Sequence, residues 1–389
     1  MSGIVLSASV RQNLLSLQST AALLATTQND LATGKKVNSA LDNPTNFFTA
    51  QGLDNRAGDI NNLLDSIGNG VQVLQAANTG LTSLQKLVDT AKSIANQVLQ
   101  APAGYSAKST VTSAAALPAG STAANLIDGV ALKANQTIIV AANGALPGVT
   151  VTLGASESLD QLNAALAPAN LTASLDSSNK LVFTTANDYA SSTIGAVTVG
   201  STPGSATFGA AVAPVADASS QAIRANLVSQ YNNVIQQISN TSQDASFNGI
   251  NLLNGDDLKL TFNETGKSTL NISGVTFNAA GLGVASLTAG TDFLDNNSAN
   301  ATLAKISAAS TTLRTEASSL GSNLSVVQIR QDFNKNLINV LQTGSSNLTL
   351  ADTNEEAANS QALSTRQSIA VSALALANQS QQSVLRLLQ

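Results

Sequence analysis

Apolar residues recur every three or four positions in five stretches of this chain, so each of the five reads as a helix. From Ser7 to Leu31 the seam runs Leu14, Leu17, Ala21, Leu24 and Leu31, with Arg11 and Asp30 as the only charges. From Ala357 to Gln389 the heptad positions are Leu363, Ala370, Ala373, Ala377, Val384 and Leu387. Ile369, Val371, Leu374, Leu376 and Leu385 put further apolar groups on the other faces of that last helix, whose only charges are Arg366 and Arg386. A helix apolar on several sides needs neighbours on several sides. The two end stretches therefore read as partners for one another, with surface left over for other chains.

Between them lie three more helical stretches. Gly34 suits the left-handed position after a first helix ending at Thr33, with Lys35 and Lys36 complementing its C-terminus. Asp42 or Asn43 then caps a second helix that has Pro44 in its first turn. Its seam is long and regular: Ile60, Leu63, Ile67, Leu74, Ala77, Leu81, Leu84, Val88, Ala91, Ala95 and Val98. Unbroken from Pro44 to Gln100, such a helix is about 85 Å long and forms a rod. Gly68, Gly70 and Gly80 interrupt the seam; no strand precedes them, so they read as close helix–helix approach and not as a phosphate loop. Helical period returns near Ala218 with Ile223, Leu227, Tyr231, Val234 and Ile238, and again from about Asn300 to Ser345 with Leu303, Ile306, Leu313, Ala317, Leu320, Leu324, Val327, Phe333, Leu337, Val340 and Leu341. The last of these seams shifts register near Ser322 to Val327, as a stutter does.

Strand patterns fill the gaps. Six of the seven prolines fall in Ala101 to Ala216, where helical period stops. Short runs there predict strands over Gln136–Ala141, Val149–Leu153, Leu171–Leu175 and Leu181–Thr185, with a turn at Ser177–Asn179 and a short helix carrying Leu159, Leu162 and Leu166. Residues from about 257 to 277 alternate as a β-hairpin turning at Asn263 to Gly266. The expected fold is mainly α: a long coiled-coil helical hairpin of N- and C-terminal segments with a β-hairpin, plus an inserted α+β outer domain. The expected division is residues 1–43 and 346–389 as inner helices, 44–100 and 218–345 as the rod domain, and 101–217 as the insert.

Composition narrows function. Charged residues are 11%, aromatics 3%, and the chain has no His, Cys or Trp. Thiol nucleophiles, Ser-His-Asp triads and imidazole or thiolate metal sites are thereby excluded, so no metal or cofactor site is expected. The best hydrolase candidate, the carboxylates of Asp160, Asp176 and Asp188, falls in or beside loops where aspartates serve turns and caps. A net charge of −5 without clustered Lys and Arg argues against nucleic acid. No run of eighteen apolar residues predicts a membrane span, and the first residues lack the basic region and compact apolar core of a cleaved signal, so a chain that is soluble, or exported by a route that reads no cleavable signal, is expected.

The motifs at both ends resemble those of bacterial flagellins. They are Leu31, Gly34, Val37, Asn38, Ser39, Ala40 and Asp42; Phe247-Asn248-Gly249 followed by Leu252 and Leu253; Leu282-Gly283; Leu313-Arg314 with Leu320-Gly321, Gln328 and Arg330; and Ala377-Asn378-Gln379 running into Val384-Leu385. The resemblance implies a non-enzymatic subunit that self-assembles into a helical, extracellular flagellar filament for motility. It also implies type III export with a chaperone, and assembly with cap and hook-associated proteins. A hook–filament junction protein shares both end helices and is the alternative. On this reading Leu14, Leu17, Leu24, Leu31, Ile369, Ala373, Leu376, Val384 and Leu387 pack between subunits. Ile60, Ile67, Leu74, Leu81, Leu84, Val88, Leu313, Leu320 and Leu324 form the rod core, and Gly34, Asn38, Ser39 and Ala40 the connector turn. Flagellins with large outer domains commonly insert them after the hairpin, whereas here the insert precedes the Ala218 helix.

Overall fold

The computed structural model describes residues 8–200 and 205–387. The chain is mainly helical, with long helices toward both ends and a β-containing middle. Helix α1 covers Ala8–Thr33 and ends at Gly34, whose φ of 69° is the left-handed conformation expected there. Helix α2 runs unbroken over Pro44–Gln100, its first turn capped by Asn43, whose Oδ1 accepts from the Asn46 amide at 3.0 Å.

The middle holds β1 (Tyr105–Ala107), β2 (Thr110–Thr112), β3 (Thr137–Val140), β4 (Val149–Thr152), helix α3 (Leu159–Leu166), β5 (Leu171–Leu175), β6 (Leu181–Thr185), β7 (Val197–Val199) and β8 (Val215–Ala216). Two three-stranded antiparallel sheets, ordered β2-β6-β5 and β4-β3-β7, enclose a core that includes Leu126, Leu132, Ile138, Leu162, Leu166 and Phe183. Strands β3 to β6 lie where alternation places them. The short β1, β2, β7 and β8 do not announce themselves, because each holds three residues or fewer and pairs with a remote segment. Helix α3 starts with a full capping box between Ser158 and Gln161. Its Asn163 turns onto the outer edge of β5, accepting from the Ala173 amide at 2.6 Å and donating to the Ala173 carbonyl at 3.1 Å.

Helix α4 (Ala218–Asp244) follows, with Asp217 at its N-cap. Next come the two-stranded hairpin β9 (Leu258–Thr261) and β10 (Thr269–Ile272), then α5 (Asn296–Thr349) and α6 (Thr353–Leu387). Helix α5 is longer at both ends than the apolar pattern suggests. Asp295 starts it early by accepting from the Ser298 amide at 3.0 Å, a cap that apolar periodicity does not register. The register shift expected near Ser322 to Val327 is not seen: the buried positions Leu313, Leu320, Val327, Asn334 and Leu341 keep one seven-residue spacing through it.

Two compact units emerge. One takes the chain through Gly70, Lys259–Leu270 and the residues from Val326 onward; the other takes Val71–Leu258 and Asn271–Ser325. In the first, Ala57 and Ile60 of α2 pack with Ile338 and Leu341 of α5. The turn of the hairpin is gripped there from both helices. Arg56 pairs with Glu264 at 2.8 Å, Asn334 Nδ2 donates to the Phe262 carbonyl at 3.0 Å, and the Arg330 guanidinium sits 5.9 Å from the Phe262 ring centre.

Candidate assembly surfaces

The connector between α1 and α2 is built around one carboxylate. Asp42 Oδ2 accepts from the Asn38 amide at 2.9 Å, the Ser39 amide at 2.8 Å and the Ser39 hydroxyl at 3.2 Å. The Ser39 amide, then that of Asn38, holds the Asp42 carboxyl below its ordinary value. Asn38 also donates to the Lys35 carbonyl at 2.8 Å. The chain leading into α6 lies alongside. The Lys36 amide donates to the Thr349 carbonyl at 2.8 Å, and the Ala351 amide to the Gly34 carbonyl at 3.0 Å. These bonds join the end of α1 to the start of α6 and set the two helices antiparallel. Gly34, Asn38, Ser39 and Ala40 are all half-buried here, while Leu41 beside them is 94% exposed.

Helices α1 and α6 then pack along one another. On α6 the withdrawn positions are Glu356, Ser360, Leu363, Gln367, Ala370, Leu374 and Ala377, stepping alternately by four and three. That is the spacing of a coiled-coil seam. On α1 the buried or half-buried positions include Val10, Leu14, Leu17, Ala21, Leu24 and Thr27. Leu14, Leu17 and Leu24 thus sit on the seam within the chain, and Leu31 is exposed beyond it. The seam holds polar Thr27, Ser360 and Gln367 among small and aliphatic residues.

Apolar surface also remains outside the seam. On α6, Ile369 is 63% and Leu376 69% exposed, with Ala373 exposed between them at i and i+4 and i+7 spacing. This stripe lies about a quarter turn from the seam, by the geometry of 3.6 residues per turn. Val371 is open on the opposite flank, as are Leu15 and Leu23 on α1. Val384 and Leu387 lie outside the described side chains.

A further stripe was not legible as such in the sequence. Phe333 and Val340 read as one seam with Leu337 and Leu341, yet of these the structure buries only Leu341 and leaves Phe333 and Val340 exposed, together with Val326 and Ile329. The buried positions here are Asn334, Ile338, Leu341 and Ser345, with Asn334 and Leu341 continuing the spacing of Leu313, Leu320 and Val327, so polar Asn334 and Ser345 take places inside while Phe333 and Val340 face out. An open groove of about 400 Å³ lined by Asn339, Val340, Thr343, Gly344 and Asn347 continues this face.

The expected rod-core residues are buried throughout: Ile60, Ile67, Leu74, Leu81, Leu84, Val88, Leu313 and Leu320, with Leu324 half-buried. The glycines in the α2 seam mark close approach. A Cβ on Gly80 would lie 2.6 Å from both Ala245 Cβ and Leu253 Cδ1, and one on Gly70 would overlap Leu260. The three candidate hydrolase aspartates of the insert hold turns and helix ends. Asp176 accepts from the Ser178 and Lys180 amides at 2.8 Å, Asp160 stands in the first turn of α3, and Asp188 accepts from Asn296. Among the described residues no group of three or more His, Cys, Asp or Glu could hold a metal ion, and no helix is long and apolar enough to cross a membrane.

Paired end helices with uncovered apolar stripes, joined in sequence to the long helices α2 and α5 and to a β-rich insert, define a mainly helical protein with surface left for association. Comparison with known proteins gives the family. The bacterial flagellin N-terminal helical region matches residues 5–138, and the bacterial flagellin C-terminal helical region matches residues 303–388. Together these matches span more than half of the chain, and the chain belongs to the bacterial flagellin family. Among its relatives, flagellin FljM of Caulobacter vibrioides is 33% identical over 163 residues, which is 41% of this chain and 58% of FljM. Flagellin A of Rhizobium meliloti is 34% identical over 122 residues, covering 31% of this chain and 27% of that protein. The match thus spans less than two thirds of either relative. The crystal structure of the D1-D2-D3 domains of the flagellar cap protein FliD from Escherichia coli covers 65% of this chain and 99% of its own, at 13% identity and a TM-score of 0.19, a likeness too slight to transfer geometry.

Proposed function

We propose that this chain is a structural, non-enzymatic subunit that self-assembles into the extracellular helical filament of the bacterial flagellum. The observation that carries the reading is the row Ile369, Ala373 and Leu376, left open beside a completed seam on a helix that after Glu356 carries only Arg366 and Arg386 as charges. A subunit that offers apolar stripes unlike the surfaces they meet makes a heterologous contact that need not close, and repetition then generates a helix. On this reading residues 1–43 and 346–389 form the inner layer, 44–100 and 218–345 the surrounding layer, and 101–217 the outer surface. Leu14, Leu17, Leu24, Leu31, Val384 and Leu387 contribute to the inner contacts with the stripe. The same uncovered helices are what an export chaperone would shield before assembly, and the cap and hook-associated proteins would meet them at the filament ends.

Electron microscopy of the full chain under polymerising conditions, beside a chain lacking Ala357–Gln389, tests this. Long helical filaments from the full chain alone are expected. A full chain that stays monomeric or closes into short rings in the presence of flagellar seeds overturns the filament reading and favours a junction role.

A further inference from the structure

Arg224, on the first turns of α4, is 1% exposed, a rare place for a guanidinium. Its hydrogen bonds go to carbonyl and amide oxygens and none to a carboxylate. Nε donates to the Pro102 carbonyl at 3.0 Å, Nη1 to the Phe293 carbonyl at 2.9 Å, and Nη2 to Asn296 Oδ1 at 3.4 Å. One side chain thus ties together three segments: the chain leaving α2, the helix α4 itself, and the approach to α5. Burial pushes the Arg224 guanidinium down from its ordinary value, while the nearby Asp295 charge opposes that push.

The segment it grips is also strained. Phe293 is fully buried with φ at 57°, a conformation in which a bulky side chain is an outlier. Such geometry persists only where the surroundings over-determine it. Here they do: the Arg224 bond holds the Phe293 carbonyl, and the Tyr231 ring packs edge-on against its ring at 5.8 Å.

The insert reaches this same place twice. Its neck is the two-stranded ribbon β1–β8, where Tyr105 pairs with Ala216, and the Gly104 carbonyl at its base accepts from Gln221 Nε2 at 2.7 Å and from the Asp217 amide at 3.0 Å. Well away in sequence, Ser191 donates its hydroxyl to Asp295, and Asn296 Nδ2 donates to Asp188 Oδ1 at 3.2 Å. A two-stranded ribbon alone is marginal and would let the insert pivot. A second attachment away from the ribbon removes that freedom.

We propose that the junction of Arg224, Phe293, Asp295 and Asn296 with Asp188 and Ser191 is a latch that fixes the insert in one orientation on α4 and the start of α5. The inference concerns the single chain and does not depend on the filament reading. Because the chain has no cysteine, Ser177→Cys in the exposed β5–β6 turn and Ser229→Cys on the open face of α4 place two spin labels without background. In the full chain kept monomeric, the distance distribution between the labels is expected to be single and narrow. In Arg224→Met, and independently in Ser191→Ala/Asn296→Ala, it is expected to widen about twofold or more while far-UV circular dichroism stays that of the parent. The Ser191→Ala/Asn296→Ala pair keeps Arg224 with its bonds to the Pro102 and Phe293 carbonyls and reads the latch even if Arg224→Met fails to fold. A broad distribution in the parent, or an unchanged one in the folded variants, overturns the proposal.

Discussion

Replacing Ile369 and Leu376 together by alanine separates assembly from folding. Both side chains are mostly in water in the single chain, at 63% and 69% exposure, so their truncation removes little that holds the subunit together. Each truncation takes away about 60 Å² of apolar surface that neighbours would cover, worth about 1.5 kcal/mol per site at the usual transfer coefficient. That is roughly a tenfold change in an association constant for each site and about a hundredfold for the pair if the sites act independently. Alanine keeps helix propensity high, so α6 itself is not weakened. The assay is the critical concentration for seeded polymerisation, measured by sedimentation, beside the thermal transition of the unpolymerised chain. A critical concentration within about threefold of the parent would refute the assignment of this stripe. Loss of the monomer's own transition would show instead that the stripe is buried within the subunit.

Three further outcomes are expected. Gly58→Ala, where no atom lies within 4 Å of the new Cβ, should stabilise the chain by about 0.5–1 kcal/mol in chemical denaturation, whereas Gly80→Ala should destabilise it because its Cβ would overlap Ala245 and Leu253. Phe183→Ala, in the fully buried core between the sheets, should cost about 3–5 kcal/mol of the insert's stability, read as an earlier denaturation midpoint for a probe placed in the insert. Asp42 has a folded pKa below its unfolded value, so its carboxylate supports the connector above the ordinary 3.8 and that support is lost as pH falls through the lowered value. An acid titration of the Asn38 and Ser39 amide resonances should therefore show a midpoint below 3.8 that Asp42→Asn abolishes.

The parts legible in the sequence are those where one local signal decides the outcome. Gly34 and Pro44 bracket the connector because a left-handed residue and a missing amide suit only a few positions. Alternation of Leu258 and Leu260 against polar neighbours places the hairpin, and runs of β-branched residues place β3, β4 and β6. Strands β1, β2, β7 and β8 escape notice because partners remote in sequence decide them. Periodicity also fails at Phe333 and Val340, which continue an apolar repeat but are carried to the outside once Asn334 finds the Phe262 carbonyl and takes the inner place. At the assembly surfaces the sequence shows that α1 and α6 are too apolar for one seam. It does not say which residues the seam consumes: Leu374 lies in it and Leu376 does not, a distinction of phase that depends on how α1 approaches. Arg224 carries no sequence signal at all, since an arginine on a helix ordinarily faces water.

Asn163 bears on crowding. A subunit repeated along a filament presents its insert again at every position, so each strand edge stands close to many copies of itself. Open edges under those conditions invite backbone pairing between neighbours and, across filaments, irreversible bundling. On β5 the carboxamide of Asn163 imitates a missing strand, offering one donor and one acceptor to Ala173 where another chain would otherwise dock. In the proposed filament one amide side chain would thus serve as a guard against entanglement, keeping adjacent copies separate threads instead of a felt.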